Sequence, residues 1–195
     1  MKRVTVMTVG LALTFAWAVT LAAQSRNGQP KAAAGAAETI IYDAQSAMAF
    51  LTTLTGEWVA GGAEHEHGSA TAANAGARSF KTKAAGSAVV QTTRAGTPGE
   101  METIFHMDGD QLLLTHYCAL QNAPVLRFVK SDKPGELKFV FQGGTNFDPK
   151  MDAHFHEGTY QIKDKDTLEQ HFTVFSNGKP NPEGVTILHR KSSSN

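Results

Sequence analysis

The sequence predicts an all-β protein, an antiparallel β-barrel of about 8–10 strands preceded by one short helix. Three observations carry this. Turn-forming clusters punctuate the chain at short, regular intervals from Gly56 onward. The segments between them are rich in β-branched and aromatic residues that alternate with polar ones. No helical period long enough for a crossover helix lies between those segments, which excludes a doubly wound parallel sheet.

The single helix is read in residues 43–56. Asp43 is a good N-cap, Ala47, Leu51 and Leu54 recur at helical spacing, and Gly56 stops the helix. The predicted strands are 57–63, 77–84, 87–95, 100–107, 111–119, 125–131, 136–142, 153–163, 167–175 and 184–190. The turns between them are Gly86, Gly96–Gly99, Asp108–Asp110, Asp132–Glu136, Asp164–Asp166 and Ser176–Gly184. Residues 64–76 are small and polar and read as a loop, which places His65 and His67 in solvent. A helix followed by a Gly-x-Trp opening and a ten-strand meander favours a closed barrel of lipocalin type, capped at one end by the helix. Closure also removes the exposed edges that invite aggregation.

The N-terminal region has a different composition. A basic start, Lys2-Arg3, precedes an uncharged apolar run ending in small residues, the pattern of a secretory signal peptide over residues 1–23. The expected last residue removed is Ala22 or Ala23. An uncleaved anchor is the alternative, since the run is about long enough to span a bilayer. Residues 24–38 lack apolar periodicity and read as a flexible linker, leaving 39–195 as the barrel domain. Lys plus Arg and Asp plus Glu are equal at eighteen each, so no basic excess points to nucleic acid. The chain has one cysteine, Cys118, which cannot form an internal disulfide and is safest buried.

The hairpin at 101–118 is the most structured stretch. With a turn at Asp108–Asp110, alternation puts Met101, Thr103, Phe105 and Met107 on one face with Leu112, Leu114, His116 and Cys118. This face is the more apolar and is assigned to the interior; Tyr117 points outward. His116 and Cys118 lie two residues apart on a strand, about 6.6 Å. A nucleophile and its base need roughly 2.6–3.2 Å, so they are not a dyad. In the stretch 151–162, alternation places His154, His156, Gly158, Tyr160 and Ile162 on an interior face, with Phe155, Glu157, Thr159 and Gln161 outside. A His-x-His pair on a strand can hold one metal, and His116 is the candidate third ligand. His171 is assigned outside with Glu169 and Thr173, and His106 to the exposed end of its strand. His189 is assigned inside with Val185 and Ile187. No nucleophile elbow, phosphate-binding loop, Cys-x-x-Cys or paired-carboxylate signature occurs.

The stretches Leu114-Thr115-His116-Tyr117-Cys118 and Glu100-Met101-Glu102-Thr103, with Leu54–Trp58 before them and Phe175–Pro180 and Leu188–Arg190 after them, resemble the bacterial lipocalin-like (calycin) domains of unknown function. The resemblance covers residues 45–191 and departs at Gln121-Asn122-Ala123-Pro124, where the family usually has Gly-Asn-Gln-Pro. It implies a β-barrel and supplies no ligand or reaction.

Three functional readings follow. The first is a secreted or periplasmic barrel binding a small, largely apolar molecule, with His116, Tyr160 and His156 as polar contacts. Its apolar lining is Leu112, Leu114, Phe128, Phe139, Phe141 and Phe172. The second is a metal or haem-iron site on His116, His154 and His156. The third is a solid-core structural or interaction domain. The first expects no cofactor, and no acid–base or nucleophile set is visible to support an enzyme.

Overall fold

The computed structural model describes residues 36–61 and 76–192. The apolar segment 1–23, the loop with His65 and His67, and all but the end of the linker lie outside the described residues.

Helix α1 (Ala44–Thr53) begins where the sequence predicts. The Asp43 carboxylate accepts from the Ser46 amide at 2.8 Å, and the Ser46 hydroxyl accepts from the Asp43 amide at 2.9 Å, a reciprocal capping box. Helical spacing turns Ala47, Met48 and Leu51 into the core. Gly56 then takes φ +136°, where a side chain would be strained, and the chain enters the first strand.

Ten strands follow: β1 (Gly56–Gly61), β2 (Ala77–Lys83), β3 (Ala88–Thr93), β4 (Met101–Asp108), β5 (Gln111–Tyr117), β6 (Ala123–Val129), β7 (Glu136–Thr145), β8 (His154–Ile162), β9 (Thr167–Ser176) and β10 (Lys179–Arg190). Each pairs antiparallel with its sequence neighbour, and β1 pairs with β10 to close the barrel. The turns follow their residues. Gly109 (φ +61°) opens the two-residue β4–β5 connection, and Asn177-Gly178 (φ +51° and +70°) forms the β9–β10 turn. The last strand starts earlier than predicted, at Lys179 rather than 184, because that turn needs two residues only. Its register shifts between Pro182 and Val185.

The barrel is filled unevenly. Near α1 the inward residues are apolar and shut off from water, among them Trp58, Phe80, Phe105, Leu114, Phe139 and Leu168. Each such side chain contributes about 1.5–3 kcal/mol of burial. Inward positions also include polar and charged residues: Arg78, Gln91, Thr93, Thr103, His116, Tyr160 and Gln170. Among the described residues no helix is long and apolar enough to cross a membrane.

The interior assignment made on β10 is overturned. Leu188 is the inward residue at the end of β10, paired with Leu168, so His189, Val185 and Ile187 face outward and are exposed.

Candidate functional site

The hairpin β4–β5 has the predicted register. Phe105 faces Leu114, Thr103 faces His116, and Tyr117 is 52 % exposed on the outside. The His116 Nδ1 lies 2.9 Å from the Thr103 hydroxyl oxygen. Burial lowers the imidazole pKa to about 4, so it is neutral at pH 7. A hydroxyl at that distance meets the spacing of a nucleophile and its base, but no third group orients the ring among the described residues, so the pair supports hydrogen bonding rather than covalent chemistry. Cys118 lies with its Sγ 4.0 Å from Met101 Sδ.

Strand β8 departs from simple alternation. Against β9, Phe155 pairs with Val174 and Glu157 with Thr173, so His156 is an extra residue in a β-bulge. The bulge brings Phe155, assigned outside from the sequence, to the interior. Its ring centroid is 4.9 Å from Phe172 and 5.3 Å from His116. Gly158 makes the position possible, because a Cβ there would stand 2.6 Å from Phe155 Cζ. Gln161 keeps its outward direction but is covered, its Nε2 donating to the Pro134 carbonyl at 3.0 Å.

The same bulge separates the histidines. His154 is fully buried and lies opposite Phe175, which by alternation is on the other face of β9 from Phe172. His156 is stacked between Phe175 (4.4 Å) and Phe141 (4.8 Å), and Phe147 lies 4.7 Å from His154. The ring neighbour of His116 is instead Phe155. The three-histidine site for metal or haem iron is therefore not formed: among the described residues no three His, Cys, Asp or Glu side chains are grouped to hold an ion. His154 and His156 contact each other. The His154 Nδ1 is 2.8 Å from the Asp152 carbonyl, which only accepts, so that nitrogen carries the proton. In the neutral pair His154 Nε2 then accepts from His156 Nδ1 at 3.0 Å. Burial, with His154 second, lowers the His156 pKa, against an opposing effect of Glu157.

Of the expected ligand contacts, His116, Tyr160 and Phe172 lie along one chain of rings: His116 on Phe155 at 5.3 Å, Phe155 on Phe172 at 4.9 Å and Phe172 on Tyr160 at 6.1 Å. His156 and Phe141 belong to the other ring cluster. Phe128 lies toward α1, where it lines a recess of about 320 Å³ with Ala44, Asp110, Gln111, Leu112 and Arg127. Tyr160 is fully engaged: its hydroxyl donates across the lumen to Gln91 Oε1 at 2.9 Å, and burial raises its pKa far above the ordinary phenol range.

Three polar residues of the interior face escaped the sequence reading. Arg78, buried opposite Trp58 on β2, acts electrostatically on Tyr160. Gln91 is the partner of Tyr160. Gln170, between Leu168 and Phe172 on β9, is fully buried, and neither its Nε2 nor its Oε1 has a hydrogen-bond partner among the described residues. Alternation offered a signal, since placing Glu169 and His171 outside puts Gln170 inside. The sequence matches no protein-family model and no curated protein.

Proposed function

We propose that this chain is a small-molecule-binding barrel whose ligand sits in the polar layer beyond the packed, α1-capped half. The observation that carries this reading is the Gln170 amide, buried inside the barrel with no hydrogen-bond partner among the described residues. Buried polar groups cost stability unless satisfied, and a solid structural core gains nothing from a Gln at that position. Small-molecule sites combine apolar walls with a few convergent polar groups. Here Phe155 and Phe172 supply the walls, and His116, Thr103 and Gln170 the polar groups. The basic-then-apolar N-terminal sequence supports a role outside the cytoplasm.

The test is to purify the chain from its native host, denature it, and identify what is released by mass spectrometry. One small organic molecule close to 1:1 with the chain is expected. If nothing is released, and no apolar fluorescent probe binds the protein saturably, the barrel is a solid structural domain and the proposal fails.

A further inference from the structure

The wall of the barrel is split at its α1 end. Strands β5 and β6 pair through Thr115–Val125, Leu114–Leu126 and Leu113–Arg127, and their ladder goes no further toward α1. Leu112 keeps its partner Met107 on β4, and Phe128 keeps Phe139 on β7, so the two strands part between them. The recess of about 320 Å³ opens at this split, with Ala44, the first residue of α1, in its lining. That volume lies within the range of small-molecule sites, roughly 300–1,000 Å³.

The lining is of two kinds. Leu112 is fully buried, and Phe128 packs edge-on against Phe139 at 5.8 Å, so together they form an apolar floor. Asp110 and Arg127 are exposed and bring charges of opposite sign to the same recess. Their side chains make no ion pair or hydrogen bond with each other or with any other described residue. The charges nearby are already engaged: the Asp43 carboxylate caps α1 through the Ser46 amide and is attracted by Lys130.

This lining discriminates among occupants. An anion meets Arg127 but is repelled by Asp110, and a cation meets the reverse. A hydrocarbon covers the floor and removes water from both charges without replacing it. A compact zwitterion satisfies both, because a carboxylate can take the planar guanidinium in two parallel hydrogen bonds while an ammonium reaches the Asp110 carboxylate. An apolar group on the same molecule then covers Leu112 and Phe128.

We infer that the recess between β5 and β6 is a binding site for a free α-amino acid with an apolar side chain, such as leucine or phenylalanine. Arg127 takes its carboxylate, Asp110 its ammonium, and Leu112 and Phe128 its side chain. The charge pairs stand on an open rim, where solvent and salt screen them, so binding is weak and falls with ionic strength. The site uses no group of the polar interior layer and does not rest on the ligand proposed there.

The test is an NMR titration of the full purified chain at low ionic strength with four probes. L-Phenylalanine and L-leucine carry both charges, 3-phenylpropionate lacks the ammonium, and phenethylamine lacks the carboxylate. Saturable binding of the two amino acids is expected, with shifts at Leu112 and Phe128. The single-charge probes should bind roughly five-fold or more weakly, since each forfeits one charge-assisted contact. Arg127→Gln should weaken L-phenylalanine and 3-phenylpropionate and leave phenethylamine unchanged, and Asp110→Asn should do the converse. Should either variant not fold, the wild-type probe series decides. Single-charge probes binding as tightly as L-phenylalanine would overturn the inference. So would an absence of saturable binding, or shifts that miss Leu112 and Phe128. None of these results bears on a molecule released from the interior by denaturation, so the two proposals fail separately.

Discussion

At the scale of single residues, His116 shows how position in the barrel sets chemistry. Its ring is held by Thr103 and Phe155, and burial lowers its pKa from 6.5 to about 4. The unfolded chain takes up a proton near 6.5, whereas the folded chain resists until about 4. The stability tied to the neutral ring is thus complete above 6.5 and is lost as pH falls from there toward 4. The slope is about 1.4 kcal/mol per pH unit for the one proton. Urea unfolding across that window should show a steeper loss in the wild type than in His116→Asn, in which the other titrating groups are unchanged. A folded-state NMR titration of His116 with a midpoint near 6.5 would contradict this. That His116 points inward was legible in the sequence, because alternation along Leu112, Leu114 and His116 is unbroken in β5. Its neighbour Phe155 was not, because it reaches the lumen through an irregularity in another strand.

At the scale of elements, that irregularity is the β8 bulge. Most strand limits could be read from turn chemistry to within a few residues, since Gly109 occupies a backbone conformation that marks its connection locally; the start of β10 was set too late although Asn177 and Gly178 mark its turn. A bulge carries no comparable local mark in the stretch 154–158, and a strict two-residue period therefore put His154 and His156 on the face of Tyr160. Gly158 is the one residue whose identity fits the observed arrangement. Gly158→Ala would bring a methyl 2.6 Å from Phe155 Cζ and 3.3 Å from Phe172 Cδ1. Such crowding costs about 1–3 kcal/mol. The expected result is a lower urea midpoint together with a changed ring-current shift at His116, as Phe155 is displaced. An unchanged midpoint and an unchanged His116 spectrum would show that Phe155 is not seated over residue 158.

At the scale of the whole molecule, the barrel is closed by pairing its first and last strands, and Arg190 fastens that seam to the helix. Its guanidinium donates to the carbonyls of Thr55 at 3.0 Å and Thr53 at 3.2 Å, beyond the C-terminal turn of α1 and at its last residue. It also lies 4.3 Å over the Trp58 ring, and its Nε is 3.3 Å from Asp166. Arg190→Met keeps the stem and removes the charge-assisted hydrogen bonds, worth about 1.5–3 kcal/mol. Hydrogen exchange should quicken in β1 and β10 and at the end of α1 while the β4–β5 hairpin stays protected. Uniform change across all strands would show that Arg190 does not act on the seam in particular.

The all-β class, the capped helix, the ten strands and the inward direction of side chains in β4 and β5 were legible in the amino-acid sequence alone, whereas β10 was read with its faces exchanged. The legible features follow from turn residues and a two-residue period, which act over a few neighbours along the chain. Which polar groups meet depends on the folded barrel. Tyr160 reaches Gln91 across 69 residues of sequence, and His116 finds Phe155 rather than His154 and His156. Such meetings depend on register summed around a closed sheet, and one extra residue in β8 is enough to divide three histidines between two ring clusters.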